Sequence, residues 1–202
     1  MRRIFIVLLL YIAAIQTIKA DNVLTITKDY TSIVMADDEC GPVKIAVEAL
    51  RRDFMKVMGF EPAVNGDNSA DGIKLVIVND ENLSSKNFLP TEYEGWGSNT
   101  FEAHRIKTDG NRIYLHGKDM RGTIYAIYTF SEKFLGVPPL WYWCSWQPEH
   151  KDAIEIPATY NYFQPSPTVR YRAWFPTTRI CSYHGVRKAW KTMSYGSKLC
   201  CV

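Results

Sequence analysis

The chain has 202 residues, of which 47% are hydrophobic, a length and composition typical of one globular domain of ordinary size. Its formal net charge is +3, but eight of the 24 basic residues lie in the first 20 and the last 26 residues, where there is no acidic residue. Residues 21–176 contain the other 16 basic residues and all 21 acidic ones, so their net charge is −5. This distribution argues against a nucleic-acid-binding protein, because basic character is confined to the two ends.

Residues 1–20 have the features of a secretory signal peptide. Two arginines precede an apolar stretch, residues 4–15, which is too short to span a bilayer comfortably, and Ala20 supplies a small residue for cleavage. We therefore expect a secreted or periplasmic protein with no membrane contact after the signal is removed. An uncleaved anchor or a buried first strand is the alternative.

Two short strands and a helix are predicted next. Val23–Ile26 and Ser32–Met35 are predicted as strands, and Phe60–Val64 as a further one. Between them we expect a helix from Gly41-Pro42 to Gly59, because proline is tolerated in the first turn and glycine closes helices. The buried face of this helix is predicted from apolar residues at helical spacing, namely Val43, Ala46, Val47, Leu50, Phe54 and Val57.

The middle of the chain predicts a central strand, a long loop and a hairpin. Ile73–Val78 is almost continuously apolar, as expected for a strand inside a covered sheet. Residues 80–98 are predicted as a loop, and Trp96 near its end is a minor candidate for ligand contact. Phe101–Thr108 and Arg112–His116 flank a turn with a glycine where positive φ is needed, which predicts a hairpin.

A second helix and an aromatic run follow. Asp119 is a suitable N-cap, and Gly136 with two later prolines ends the helix. The aromatic run after this helix is predicted first to pack in the core, as most aromatic side chains do. Its second interpretation is a wall of a ligand-binding site, because flat rings stack on sugar faces. Ala153–Ile156 and Val169–Phe175 are predicted as later strands, separated by a linker that carries three prolines. The rings of the run are those of Trp141, Tyr142, Trp143 and Trp146.

The order of these elements predicts an α/β (α+β) fold, a small sandwich of one mixed sheet with two helices on one face. Residues 1–20 are assigned to the signal peptide and 21–160 to the α/β domain. Residues 161–176 are assigned to a linker, and residues 177–202 to a basic tail that does not continue the pattern.

No motif in the sequence forms an active site by itself. There is no nucleophile elbow, phosphate loop, dinucleotide fingerprint or zinc-type spacing, so neither a cofactor nor a metal is predicted. The densest acidic cluster, Asp37-Asp38-Glu39, precedes a helix, where compensation of the helix N-terminus is favoured over glycoside chemistry. Of the five cysteines, Cys40 and Cys144 lie before the tail; they either pair or, as favoured here, remain free thiols.

Several segments resemble the amino-terminal region of glycoside hydrolase family 115, the xylan α-glucuronidases. The likeness covers about residues 21–176 and is strongest in Lys118–Tyr128, Leu135–Val137, Trp141–Trp143 and Val169–Arg172. It implies an exported enzyme that releases glucuronic acid, or its 4-O-methyl ether, from xylan. It also implies a domain like the one that precedes the catalytic barrel in hexosaminidases and α-glucuronidases, with residues 161–176 leading into that barrel.

The resemblance implies a role without catalysis for this chain. A (β/α)8 barrel takes about 250 residues, so we expect an inactive fragment and transfer no catalytic residue. Glucuronoxylan would then be a partner only through the missing catalytic domain. Arg121 would pair with a uronate carboxylate at the rim of that domain's pocket, although an ordinary surface arginine is favoured. The other tentative substrate contacts are Trp141, Trp143 and Trp146. A free-standing carbohydrate-binding module is the alternative, and an interaction protein with a basic tail is the third hypothesis.

The tail suggests a change of reading frame. The last acidic residue is Glu155, and three of the five cysteines fall within residues 177–202. Among the codons possible for Thr177–Cys181, some choices, read one base earlier, encode Asn-Asp-Thr-Asp-Leu, the type of barrel entry that the resemblance implies. We therefore hypothesise a frameshift at Pro176, with a genuine basic extension as the alternative.

Overall fold

The computed structural model describes residues 23–66, 72–90, 95–97, 100–139, 141, 145 and 147–170. They form a six-stranded mixed sheet, a separate pair of short strands and two main helices. In chain order the elements are β1 (Val23–Ile26), a 3₁₀ turn (Lys28–Tyr30), β2 (Thr31–Val34), α1 (Gly41–Met58), β3 (Ala63–Val64), β4 (Ile73–Asn79), α2 (Leu83–Lys86), β5 (His104–Asp109), β6 (Arg112–Gly117), α3 (Met120–Phe130), β7 (Ile154–Pro157) and β8 (Asn161–Gln164).

The large sheet has the strand order β3-β2-β4-β6-β5-β8, and β1 pairs with β7 outside it. β4 lies parallel to both β2 and β6, so Leu75 stands opposite Ile33 on one side and Ile113 on the other. This position explains the nearly continuous apolar sequence of β4, because a central parallel strand is covered on both sides. β5 and β6 form the predicted hairpin, and Gly110 in its turn has a φ of 54°.

The edges of the sheet differ from the predictions. Residues 161–164, predicted as part of a linker, form β8 and pair with β5. An exposed edge strand needs no apolar alternation, so its sequence carries little signal. The strand predicted over Phe60–Val64 exists only as β3, and the predicted loop 80–98 contains the single-turn helix α2. Val169 and Arg170 are not in a strand, and the rest of that predicted strand lies outside the described residues.

The first main helix confirms its prediction. Pro42 lies in the first turn of α1, and Gly59 closes the helix with a φ of 72° while its N–H donates to the Met55 carbonyl. The six apolar residues predicted to face the core are all buried. The spacing of apolar residues therefore predicted both the existence and the orientation of α1.

The second main helix also begins and ends as predicted. The Asp119 carboxylate accepts a hydrogen bond from the Gly122 N–H at 2.7 Å, which caps α3. After Phe130 the helix widens into a π-type turn, Ser131–Leu135, and Gly136 ends it with a φ of 74°.

Close backbone contacts fix α3 against the end of β6. A Cβ atom on Gly117 would lie 1.9 Å from the Thr123 backbone nitrogen, and one on Gly122 would lie 2.5 Å from the Ala103 carbonyl oxygen. Neither position can hold a side chain without a shift of the backbone. The two glycines therefore set how closely the helix approaches the sheet.

Both main helices pack on the same face of the sheet, which confirms the predicted α/β fold class. We call this side the covered face; its apolar cluster includes Leu50, Phe54, Ile77, Leu115 and Phe130. We call the opposite side the open face. It carries a smaller apolar cluster formed by Val76, Val78 and Tyr114. Phe88 and Leu89, at the end of the 83–90 segment, pack against this cluster.

Candidate functional site

The ends of the parallel strands β2, β4 and β6 bring three polar segments to one edge of the sheet, which we call the carboxyl edge. The segments are residues 37–39, 79–82 and 118–119. Ligands of α/β sheets commonly bind outside the carboxyl ends of parallel strands, so this edge is the first place to look for chemistry.

The acidic cluster at the end of β2 is bound by the fold itself. The buried carboxylate of Glu39 accepts hydrogen bonds from the Cys40 N–H at 3.0 Å and the Asn79 amide at 2.9 Å. Asp38 accepts from the Ser84 hydroxyl at 2.8 Å and from Asn82 at 3.2 Å, and these bonds lower the pKa of its carboxyl. No side chain caps the first turn of α1, so the predicted compensation of its N-terminus remains a prediction; the contacts tie the segment before α1 to the end of β4 and to α2.

Asp80 at the end of β4 is surrounded by cations. Its carboxylate lies 2.8 Å from the Lys118 ammonium and 3.4 Å from that of Lys86. Burial alone would raise the pKa of Asp80, but the hydrogen bond and charge of Lys118, helped by Lys86 and His116, lower it. A carboxyl held in the ionised form in this way is a poor general acid.

His116 lies beneath the open face, 3.9 Å from Asp80. Burial lowers the pKa of His116 to about 4, and the charge of Arg105 adds to this effect while that of Asp80 opposes it. The Trp96 indole N–H donates to the His116 Nε2 atom at 3.3 Å, which requires that nitrogen to be unprotonated. The imidazole is therefore neutral at physiological pH and acts as a hydrogen-bond acceptor.

The structure places Arg121 in an internal ion pair. Its guanidinium lies 3.0 Å from the buried Glu102 carboxylate and donates to the Tyr125 hydroxyl at 3.1 Å. Glu102 has a φ of 54°, and its N–H donates to Asp119 at 2.7 Å. Arg121 thus compensates a charge on a constrained turn, and the predicted contact with a uronate remains a prediction.

Of the aromatic run, only Trp141 falls within the described residues; Tyr142, Trp143 and Trp146 lie outside them. Trp141 is half-buried and packs against the main apolar cluster. The Lys56 ammonium lies 3.6 Å from the centroid of its ring, which occupies one face. These contacts resemble those of a core ring with a cation over it, and a role in ligand binding remains a prediction for all three tryptophans.

The open face joins side chains that are distant in sequence. Arg105 and Phe163 stand opposite each other on β5 and β8. The Arg105 guanidinium lies 4.6 Å from the centroid of the Trp96 ring and 5.5 Å from that of Phe163. Trp96 was a minor candidate on sequence grounds, but Arg105 and Phe163 were missed because the pairing of β8 with β5 has no local signal.

The described residues offer no obvious reactive group beyond these. Burial raises the pKa of the free Cys40 thiol, which disfavours a nucleophilic thiolate. Cys144 lies outside the described residues, so its pairing with Cys40 remains a prediction. No group of three histidine, cysteine or acidic side chains within the described part of the chain is arranged to hold a metal ion. Among the same residues, no helix has both the length and the apolar character of a membrane span.

Comparison with solved structures finds this fold inside one larger enzyme, with weaker matches to others. A family GH115 4-O-methyl-α-glucuronidase with specificity for decorated arabinogalactans matches 73% of this chain and 19% of its own, with a TM-score of 0.57 and 21% identity. An exo-β-N-acetylglucosaminidase of family GH20 from Vibrio harveyi matches 76% of this chain and 18% of its own, with a TM-score of 0.40 and 17% identity. A GH138 enzyme that targets pectin rhamnogalacturonan II matches 51% of this chain and 13% of its own, with a TM-score of 0.34 and 19% identity.

The chain spans about a fifth or less of the length of these enzymes. No protein-family model and no curated protein matches it. At 21% identity, the likeness to the α-glucuronidase shows a shared fold. The structure is thus that of an α/β domain of a kind that occurs within a glycoside hydrolase.

Proposed function

We propose that this chain is a non-catalytic α/β domain of an exported glycoside hydrolase that resembles the α-glucuronidases acting on glucuronoxylan. The observation that carries the proposal is that the carboxylates at the carboxyl edge already have partners within the fold. The carboxylates of Glu39 and Asp119 accept hydrogen bonds from within the domain, and that of Asp80 forms an ion pair with a lysine. The fold shared with part of a family GH115 enzyme supports the link to glycoside hydrolysis.

Glycoside hydrolysis makes demands that these carboxyls do not meet. Most glycosidases use two carboxyl groups that face the scissile bond, one of them protonated because its pKa is raised. The pKa of Asp80 is lowered instead, and Glu39 is buried behind Asn79. Burial does raise the pKa of Asp53, but its carboxylate joins α1 to the turn after α3 through the Ser131 hydroxyl. In the proposed enzyme, the acid and base would come from a catalytic barrel.

The test of this proposal is an activity assay on the purified chain. With aldouronic acids as substrate, we expect no release of 4-O-methylglucuronic acid above the level of a heat-treated sample. Release that disappears when Asp53 or Asp80 is replaced by asparagine would contradict the proposal, because it would place catalysis within this domain.

Residues 177–202 belong to the same proposal. We place a frameshift at Pro176, so the barrel would be encoded downstream in another frame. The coding DNA tests this directly, since a single-base correction should open a long frame rich in barrel strands. The restored protein should then release glucuronic acid from xylan fragments, and deletion of residues 21–160 from it should lower the yield of soluble enzyme.

A free-standing carbohydrate-binding module is the second candidate. Half-exposed Trp96 and exposed Phe163 on the open face favour it, because aromatic rings at a surface stack on sugars. Retention of the purified chain on insoluble glucuronoxylan, lost in Trp96→Ala, would support this module over the accessory domain. Passage through the column without delay would argue against it.

A further inference from the structure

A groove crosses the open face where β4 and β6 begin. It has a volume of about 610 Å³, within the range of small-ligand sites. Lys74 and Arg112 line its floor, and Asp109 borders it at the hairpin. The short segment after α2 forms its wall.

The two cations in the groove are placed side by side. Lys74 on β4 and Arg112 on β6 are direct partners in the parallel register. Like charges in that arrangement repel each other, and an anion bound between them would remove the repulsion. Within the described residues, neither side chain forms an ion pair, although Asp109 stands opposite Arg112 on β5. The register therefore puts two neighbouring cations in the groove, close enough for one anion to contact both.

The rest of the groove fits a sugar better than a simple inorganic anion. Phe88 and Leu89 are half-exposed and rest on the small apolar cluster, so they present a fixed apolar wall. The exposed Asn87 amide and Asp109 carboxylate add hydrogen-bond donors and acceptors for hydroxyl groups. Sugar hydroxyl groups would use these hydrogen-bond partners, whereas a simple inorganic anion would leave them and the apolar wall without a contact.

We propose that this groove binds an acidic glycan through a uronic acid residue. The uronate carboxylate lies between Lys74 and Arg112, and the apolar side of the sugar ring packs against Phe88 and Leu89. This inference goes beyond the accessory role, which needs no ligand on the open face, and it does not depend on catalysis in a following barrel.

Isothermal titration of the whole chain with an oligogalacturonide tests the proposal. We expect saturable binding that weakens about tenfold in Lys74→Gln and again in Arg112→Gln, because each loses a hydrogen bond to a charged group. The methyl-esterified oligogalacturonide keeps the ring and loses the charge, so it should bind at least tenfold more weakly. Thermal melts of both variants should match that of the parent chain, which separates loss of binding from loss of folding.

Arg52→Gln is the matched control, since Arg52 is an exposed cation on α1, behind the opposite face of the sheet. It should bind the oligogalacturonide as the parent chain does. Equal binding of inorganic phosphate at the same sites would overturn the proposal in favour of a plain anion site. Absence of oligogalacturonide binding, or binding that Arg52→Gln weakens as much as Lys74→Gln, would also overturn it. None of these outcomes bears on the assay for hydrolysis.

Discussion

The two faces of the sheet are built from alternate residues of the same strands, yet they differ in almost every physical property. On β4, Leu75 and Ile77 enter the main apolar cluster, whereas Lys74 lines the groove on the open face. On β6, Ile113 and Leu115 are likewise buried beneath the helices. Most of the buried apolar residues therefore lie on the covered face, whereas the open face combines a small buried cluster with exposed polar and charged residues.

This contrast explains why stability and binding should respond to different mutations. A side chain on the covered face contacts atoms on all sides, so its loss leaves a cavity. An exposed cation at the groove, such as Arg112, interacts through solvent, where its contribution to folding is small. Substitutions matched across the sheet test this separation.

The largest effect is expected from Phe54→Ala on α1. The Phe54 ring is fully buried and lies 5.7 Å from Phe60 and 6.3 Å from Phe130, centroid to centroid. Loss of the ring should lower the free energy of unfolding by about 3–5 kcal/mol. Urea denaturation followed by circular dichroism measures this, and a loss below about 1 kcal/mol would mean that the helix layer does not carry the stability.

The next largest effect is expected from Gly117→Ala at the end of β6. The added Cβ atom would meet the Thr123 backbone nitrogen at 1.9 Å, so α3 must shift from the sheet. We expect a loss of roughly 3 kcal/mol in the free energy of unfolding, at the upper end for overpacking. Gly41→Ala is the control, because nothing lies within 4 Å of its Cβ position, and it should be neutral or slightly stabilising. Equal melting temperatures for the two variants would refute the close contact.

The residues in these two predictions also show how far local sequence signals reach. Phe54 was placed in the core by helical spacing, and the ends of both helices were predicted from glycine and aspartate at the right positions. Such signals act within a few residues along the chain, and the elements that they predict are present in the structure. The close approach at Gly117 has no local signal, because it depends on how a helix meets the end of a strand.

The open face was predicted least well for the same reason. Lys74 and Arg112 are 38 positions apart and become neighbours only through the register of β4 and β6. Arg105 and Phe163 meet through an edge strand whose sequence resembles a linker. Alternation along one strand predicts which residues share a face, but it does not predict which strand lies beside it.

The third prediction concerns pH and the buried imidazole of the open face. Burial lowers the pKa of His116 to about 4, so the unfolded chain binds a proton more readily than the folded one. Stability from this group is therefore constant above its ordinary pKa of about 6.5 and falls as the pH drops towards 4, by roughly 2–3 kcal/mol. The charged groups that face the ring are Asp80, Arg105, Lys118 and Lys86.

The measurement is a urea titration at neutral pH and at about the lowered pKa, carried out on the parent chain and on His116→Gln. Protonation of carboxylates such as Asp80 also lowers the stability of the protein in acid, so only the difference between the two proteins reports on His116. The variant should lose less stability on acidification than the parent chain. The same loss in both would mean that folding does not lower the pKa of His116, which would contradict its burial and its bond from Trp96.

The smallest effect is expected from Lys74→Gln and Arg112→Gln. Because the two cations are direct partners across β4 and β6, removing either one relieves a repulsion rather than breaking an attraction. We expect the free energy of unfolding to stay within about 0.5 kcal/mol of the parent value, with a slight gain at low salt that fades as salt is added. Differential scanning calorimetry at two salt concentrations measures both effects. A loss above about 1 kcal/mol would show that the two cations stabilise the fold. The contrast between the faces would then be wrong, because the cations of the groove would serve folding and not the binding of a ligand.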